Sequence, residues 1–219
     1  MFANSSKKEL ERKPIAKGEE LFDALTKTIL QKAQRTHLPV FHFTEKEQVG
    51  ANFGERFTNA ITSVFEKGFE NIITIGNDTP QLTVQHLKKA AKQLTQEKTV
   101  IGPSSDGGFY LLGLKKSNFD SEVFKNLPWQ RFSLFSKLSL WFRNDVSEIV
   151  KLPVFQDLDD EQDLKSALHF SRSLTSLVLK LILEILRYTR VLTSYQNFYF
   201  DLFLSRSLYN KGSPQLTFA

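Results

Sequence analysis

Ile75-Gly76-Asn77-Asp78-Thr79-Pro80 ends a β-branched, continuously apolar run at 71–75 and then turns sharply. Such an uninterrupted run is what a strand buried on both faces requires. Gly102-Pro103-Ser104-Ser105-Asp106-Gly107-Gly108 follows a second short apolar run, and Asp157-Leu158-Asp159 a third. Each segment puts a carboxylate at or just past a strand end. In an open α/β sheet, ligands bind at the carboxyl ends of the strands. Asp78, Asp106, Asp157 and Asp159 are therefore expected to converge on one site.

The rest of the chain supplies the helices such a sheet needs. Leu21, Phe22, Leu25, Ile29 and Ala33 recur at helical spacing over 18–35, and Phe57, Ala60, Ile61, Val64 and Phe65 do so before Gly68. Val84, Leu87, Ala90, Ala91 and Leu94 mark a third helix. Residues 132–142 and 160–170 complete the helical set. Strands are expected at 38–43, 71–75, 99–101, 109–112 and 148–152. Strands alternating with helices predict a mostly parallel sheet covered on both faces. Residues 174–192 are strongly apolar but carry Lys180, Glu184 and Arg187 on one helical face. A spanning helix has few charges over about 20 residues, so this reads as one amphipathic helix. Its expected inner face is Leu177, Leu181, Ile185 and Leu186. It packs on the domain, meets a second copy in a homodimer, or lies on a membrane surface. Residues 210–219 read as a frayed tail.

Composition narrows the classes. At 219 residues the chain fits one domain with an appendage, divided as 1–170 and a helical extension at 171–219. The absence of Cys removes thiolate metal sites and thiol nucleophiles and agrees with a reducing, cytoplasmic setting. A net charge of +5 suits phosphate-bearing ligands. No Lys/Arg block flanks an aromatic ladder, which argues against nucleic acid. The polar start at 1–14 does not read as a signal peptide, and there is no Gly-x-Ser-x-Gly elbow for a hydrolase.

Read singly, the acidic residues leave alternatives open. Asp78 is either a Mg²⁺ ligand, since that ion takes one or two carboxylates plus phosphate oxygens and water, or a helix cap. Asp106 with Gly107 and Gly108 is either a ligand-facing loop or a plain turn. Asp157 and Asp159 point to one side of an extended backbone, where like charges call for a cation between them. The alternative is a helix cap at Asp159 or Asp160. Gln48 and Asn52 suit a base or sugar edge, and Arg56 an ion pair.

Five ordered motifs then carry a resemblance. They are Gln48-x-Gly50-x-x-Phe53-Gly54-Glu55-Arg56, Ile75-Gly76-Asn77-Asp78-Thr79-Pro80, Gly102-Pro103-x-x-Asp106-Gly107-Gly108-Phe109-Tyr110-Leu111-Leu112-Gly113, Leu127-Pro128-Trp129, and Asp157-Leu158-Asp159 followed by Asp163-Leu164. Over 18–168 the chain resembles the bacterial DUF2064 proteins, glycosyltransferase-like members of the GT-A nucleotide-diphospho-sugar transferase superfamily. The resemblance implies a Rossmann-like three-layer GT-A fold, with the C-terminal helix as an addition. It implies transfer of a glycosyl or nucleotidyl group from a nucleotide sugar or nucleoside triphosphate, with Mg²⁺ or Mn²⁺ as cofactor. Asp78 and Asp106 take the catalytic positions, and Asp78, Asp157 and Asp159 the metal positions. Gln48, Gly50, Arg56, Gly76, Asn77, Gly107, Gly108 and Trp129 line the nucleotide and substrate side. Three departures stand beside this. The opening strand is reduced to Met1-Phe2-Ala3 with an altered basic loop, which predicts a stunted strand or an upstream start. Trp129 is followed by Gln130-Arg131, and Thr79 stands where Cys is frequent. The altered loop motivates the alternative of a nucleotide-binding or scaffold protein without turnover.

Overall fold

The computed structural model describes residues 1–144 and 148–208. The tail at 210–219 lies outside the described residues. Four strands form one sheet in the order β1-β3-β2-β4: β1 (Asn71–Ile75), β2 (Thr99–Pro103), β3 (Phe109–Lys115) and β4 (Ile149–Lys151). The sheet is mixed, not mostly parallel. β3 runs antiparallel to both neighbours, pairing Ile73 with Gly113 and Ile101 with Leu112, and only β2 and β4 pair in parallel. The reason is the link between β2 and β3. A parallel return needs a crossover of a dozen or more residues, and 104–108 is long enough only for a hairpin.

Helices cover both faces. Alternate residues of β2 and β3 point to opposite sides. On one face Val100 and Leu111 pack with Leu87, Ala90 and Leu94 of α4 (Val84–Leu94) and Ile29 and Ala33 of α2 (Glu19–Gln34). On the other, Ile101, Leu112 and Leu114 meet Phe57, Ile61 and Phe65 of α3 (Phe53–Phe65), Phe124 of α5 (Ser121–Lys125), and Leu138 and Phe142 of α6 (Leu134–Asn144). This second layer is largely aromatic, with edge-on pairs such as Phe119–Phe124 at 4.9 Å. Such contacts add to simple area burial.

A third cluster holds the C-terminal helix. Val178, Leu181, Ile182 and Ile185 of α8 (Ser176–Leu208) bury against Leu21, Phe22 and Leu25 of α2 and Leu164 and Ala167 of α7 (Glu161–Ala167). The helix forms as expected, with Lys180 and Glu184 exposed and paired at 3.7 Å. Of its predicted inner face, Leu181 and Ile185 are buried and Leu186 packs against the same cluster, but Leu177 does not face inward. Leu177 is 56% exposed, and Val178 and Ile182 take the buried positions. No helix among the described residues is long and apolar enough to cross a membrane.

The predicted strand at 38–43 reduces to one parallel bridge, Phe43 with Phe2. Phe2 in turn donates its N–H to the Ile75 carbonyl at 3.0 Å. An apolar cavity of about 290 Å³ lies between this segment and β1, lined by Leu38, Phe41, Val64, Ile73 and Leu87. Short α1 (Ser6–Glu9) follows and leads into Lys13-Pro14 before α2 begins.

Candidate functional site

Three chain segments meet because hydrogen bonds tie them together at one rim of the sheet. Past β4, Leu152 N–H donates to the Ile101 carbonyl at 2.8 Å, and Phe155 N–H to the Pro103 carbonyl at 3.1 Å. The segment then reaches the end of β1, where Leu158 N–H donates to the Asp78 carbonyl at 3.0 Å. Because β3 runs the other way, its start also lies on this rim, and Phe109 and Tyr110 line the same cleft. The cleft has a volume of about 480 Å³. Asp78, Asp106, Asp157 and Asp159 all face it, with Gly76, Asn77, Gly108 and Trp129.

The acidic side chains differ in what holds them. Asp78 accepts from the Lys13 ammonium at 2.6 Å, and Asp159 pairs with the same nitrogen at 2.9 Å. Asp157 accepts a short hydrogen bond from the Thr79 hydroxyl. Burial first, and then the nearby charges of Asp78, Asp106 and Asp159, push the Asp157 carboxyl up to about 8 despite that bond. Asp106 is turned inward on its own loop, accepting from the Ser104 hydroxyl and from Gly108 N–H at 2.9 Å. Gly107 sits at φ +88, and a Cβ there would stand 2.5 Å from the Phe132 carbonyl, so only glycine fits. The Asp160 carboxylate caps α7 in a reciprocal box with Asp163, which fixes the 157–159 segment from its far side.

Other predicted residues are used differently. Asn77 is buried and donates to the Thr26 hydroxyl at 2.9 Å, anchoring the end of β1 to α2. Trp129 donates its indole N–H to the Phe124 carbonyl at 2.7 Å. With Phe53, at 5.3 Å between ring centroids, it forms an aromatic wall of the cleft. Gln48, Gly50, Arg56 and Gly107 are not among the cleft-lining residues. Gln48 instead bonds Asn4 and the Phe43 carbonyl, and Gly50 makes a turn at φ +145.

The sequence offered Lys13 only as one of a basic stretch, with Lys7, Lys8 and Arg12, that supplies charge to the altered loop; the fold puts it at the centre. Lys13 is 9% exposed, and its ammonium also donates to the Leu158 carbonyl at 3.2 Å. Burial pushes its pKa down, but Asp78 and Asp159 outweigh that and leave it above the ordinary lysine range. Nothing local marks it among the basic residues 7, 8, 12 and 13. Its partners are distant in sequence, and only the fold joins them. Arg12, exposed, lines the same cleft.

With this geometry in place, comparison with known proteins is decisive on family. The model of DUF2064, described as "Uncharacterized protein conserved in bacteria", matches residues 19–131, just over half of the chain. The chain belongs to the DUF2064 family. No curated protein sequence matches this DUF2064 chain. Among solved structures, it is similar to a crystal structure from Desulfovibrio desulfuricans G20 described as a "putative nucleotide-diphospho-sugar transferase". The TM-score is 0.72 at 21% identity, over 85% of this chain and 95% of that one. At that identity the likeness carries the fold.

The divalent metal that the resemblance implies can be tested against the donor set. Among the described residues, no three acidic or histidine side chains gather as a metal site. The space between Asp78 and Asp159 is filled by the Lys13 ammonium. As arranged, Asp78, Asp157 and Asp159 do not fit as a three-carboxylate metal cage.

Proposed function

We propose that this DUF2064 chain binds an activated nucleotide in the cleft, a nucleotide diphospho-sugar or a nucleoside triphosphate, and transfers its glycosyl or nucleotidyl group to an acceptor. One observation carries the reading. Five acidic side chains (Glu9, Asp78, Asp106, Asp157 and Asp159) and two basic ones (Arg12 and Lys13) converge on a 480 Å³ cleft at the carboxyl ends of β1 and β2, where α/β folds bind ligands. The parts suit a nucleotide. The aromatic wall of Phe53 and Trp129 offers a flat face for a base or sugar ring. Arg12 on the rim presents a forked donor suited to phosphate oxygens. Gly76 and Gly108 let a ligand approach the backbone closely. Asp78 and Asp106 are proposed to orient the reacting groups, with the carboxylate of Asp106 accepting from an acceptor hydroxyl. The neighbouring fold described as a sugar transferase supports a nucleotide sugar as the donor.

Thermal-shift and calorimetric titration with a panel of nucleotides and nucleotide sugars tests this, with and without Mg²⁺ or Mn²⁺. A nucleotide is expected to raise the melting temperature, and Asp78→Asn or Trp129→Ala to weaken its binding. If no nucleotide binds under any condition, the reading fails. Binding without turnover is the second reading. It is favoured by the internal partners of Asp78, Asp106 and Asp159, which already engage these carboxylates. ³¹P NMR of a bound donor incubated with candidate acceptors separates the two.

A further inference from the structure

The carboxylates of Asp78 and Asp159 and the carbonyl of Leu158 surround one point in the cleft. Two anionic oxygens and a carbonyl are the hard donor set that a divalent cation takes. In this chain that point is the Nζ of Lys13, at 2.6 Å, 2.9 Å and 3.2 Å from the three oxygens. An ammonium has three N–H donors, as many as there are oxygens around this point. The side chain is also held from behind. Its nitrogen lies 5.1 Å from the centroid of the Phe22 ring, the Lys13 backbone N–H donates to the Glu9 carbonyl at 3.1 Å, and Pro14 stiffens the next residue. Glu9 stands farther off, at 3.9 Å. A metal ion and this ammonium cannot occupy the same point, and placing both among these oxygens sets like charges in contact.

We propose that Lys13 is a resident counter-ion occupying the seat of a divalent metal, so that the cleft engages a phosphate-bearing ligand without Mg²⁺ or Mn²⁺. The part concerning the ligand rests on the nucleotide reading above; the part concerning the seat does not. The ammonium delivers one positive charge where a metal delivers two. Arg12, on the rim of the same cleft, then supplies the second charge toward the ligand's phosphates, and does so without blocking the seat.

The test is a Mn²⁺ titration of the full chain, followed by electron paramagnetic resonance and by melting temperature. Binding that Asp78→Asn leaves unchanged lies elsewhere and is subtracted. The wild-type protein is expected to show no saturable Mn²⁺ site that depends on Asp78. Lys13→Met vacates the seat and is expected to gain one. Its melting temperature should then rise with Mn²⁺ concentration, as mass action requires, and Asp78→Asn in that background should abolish the gain. Should Lys13→Met fold only when Mn²⁺ is present, that is the same result in stronger form. A wild-type Mn²⁺ site that Asp78→Asn removes overturns the proposal. So does a Lys13→Met protein that gains no site, or that stays unfolded with Mn²⁺. In the ligand arm, UDP affinity of the wild-type protein is expected to be the same in EDTA as in Mg²⁺. A strict Mg²⁺ requirement overturns the metal-free engagement. Absence of binding by UDP and by every other nucleotide of the panel in both buffers, with the Mn²⁺ results as expected, sinks the nucleotide reading and leaves the seat intact.

Discussion

At the scale of single residues, the cleft is a place where charge is stored against solvation. Asp157 bears the largest part of that strain among the carboxylates. Burial and the fields of Asp78, Asp106 and Asp159 hold its proton on to about pH 8, and burial, offset in part by Lys13, also raises the pKa of Asp159 and Glu9. The sign of the linkage follows. The unfolded chain releases the Asp157 proton near the ordinary carboxylate range, while the folded chain keeps it to about pH 8. Between about pH 4 and pH 8 the unfolded state therefore binds fewer protons, and stability falls as pH rises. The melting temperature in EDTA is expected to be higher at pH 6 than at pH 8. Asp157→Asn keeps an acceptor for the Thr79 hydroxyl and removes the charge, so it should raise the melting temperature at pH 8 and flatten the profile. Each kcal/mol recovered is worth about 2–4 °C in a chain of this size. A profile for Asp157→Asn that overlays the wild type would show that this carboxyl is not the group being titrated. Asp78, Asp106, Asp157 and Asp159 were legible as a set because each follows a local apolar run. Lys13 was not, since its role depends on contacts with residues 78, 158 and 159 that no local pattern encodes.

At the scale of elements, most boundaries were readable from periodicity, and the errors have definite physical causes. The direction of β3 was in the sequence: five residues between Pro103 and Phe109 permit a hairpin and forbid a crossover. Alternating helix and strand patterns elsewhere suggested parallel pairing and hid that short link. The segment at 38–43 has strand-like residues but makes only the Phe2–Phe43 bridge, and propensity alone does not supply a partner. In α8 the charges were placed correctly, yet the apolar stripe is wide enough to be docked in more than one rotation. The choice was made by the facing residues of α2 and α7, with Val178 and Ile182 turned inward and Leu177 outward. That difference is measurable. Ile182→Ala opens a cavity in a fully buried site and should cost about 2–5 kcal/mol. Leu177→Ala, at 56% exposure, should fall within about 0.5 kcal/mol of wild type. Urea melts of the two variants decide, and a larger loss for Leu177→Ala than for Ile182→Ala would mean that Leu177 faces inward, as expected from sequence alone.

At the scale of the whole molecule, the cleft and the C-terminal helix share one foundation. Phe22 packs in the cluster that α8 completes, and the same ring lies beneath the Lys13 ammonium. Leu158, between the two cleft carboxylates Asp157 and Asp159, is buried in that cluster too. Removing the chain after Arg172 would therefore do more than trim an appendage. It would bare Leu21, Phe22, Leu25 and Leu164 on one side of the domain, a contiguous apolar face of the kind that soluble monomers rarely expose. The truncated protein is expected to aggregate or to melt at a markedly lower temperature, and to lose the cleft's ligand response together with its stability. The outer face of α8 gives the competing view its basis. Leu183 and Val191 stay exposed there among Lys180, Glu184 and Arg187, which is the surface a second copy or an anionic bilayer would meet. Sedimentation separates the two views. A truncated chain that stays monomeric and keeps its melting temperature, while the intact protein pellets with phosphatidylserine vesicles, would make the helix a membrane element. A truncated chain that aggregates, while the intact protein stays in the supernatant, makes α8 part of the wall that holds the cleft in shape.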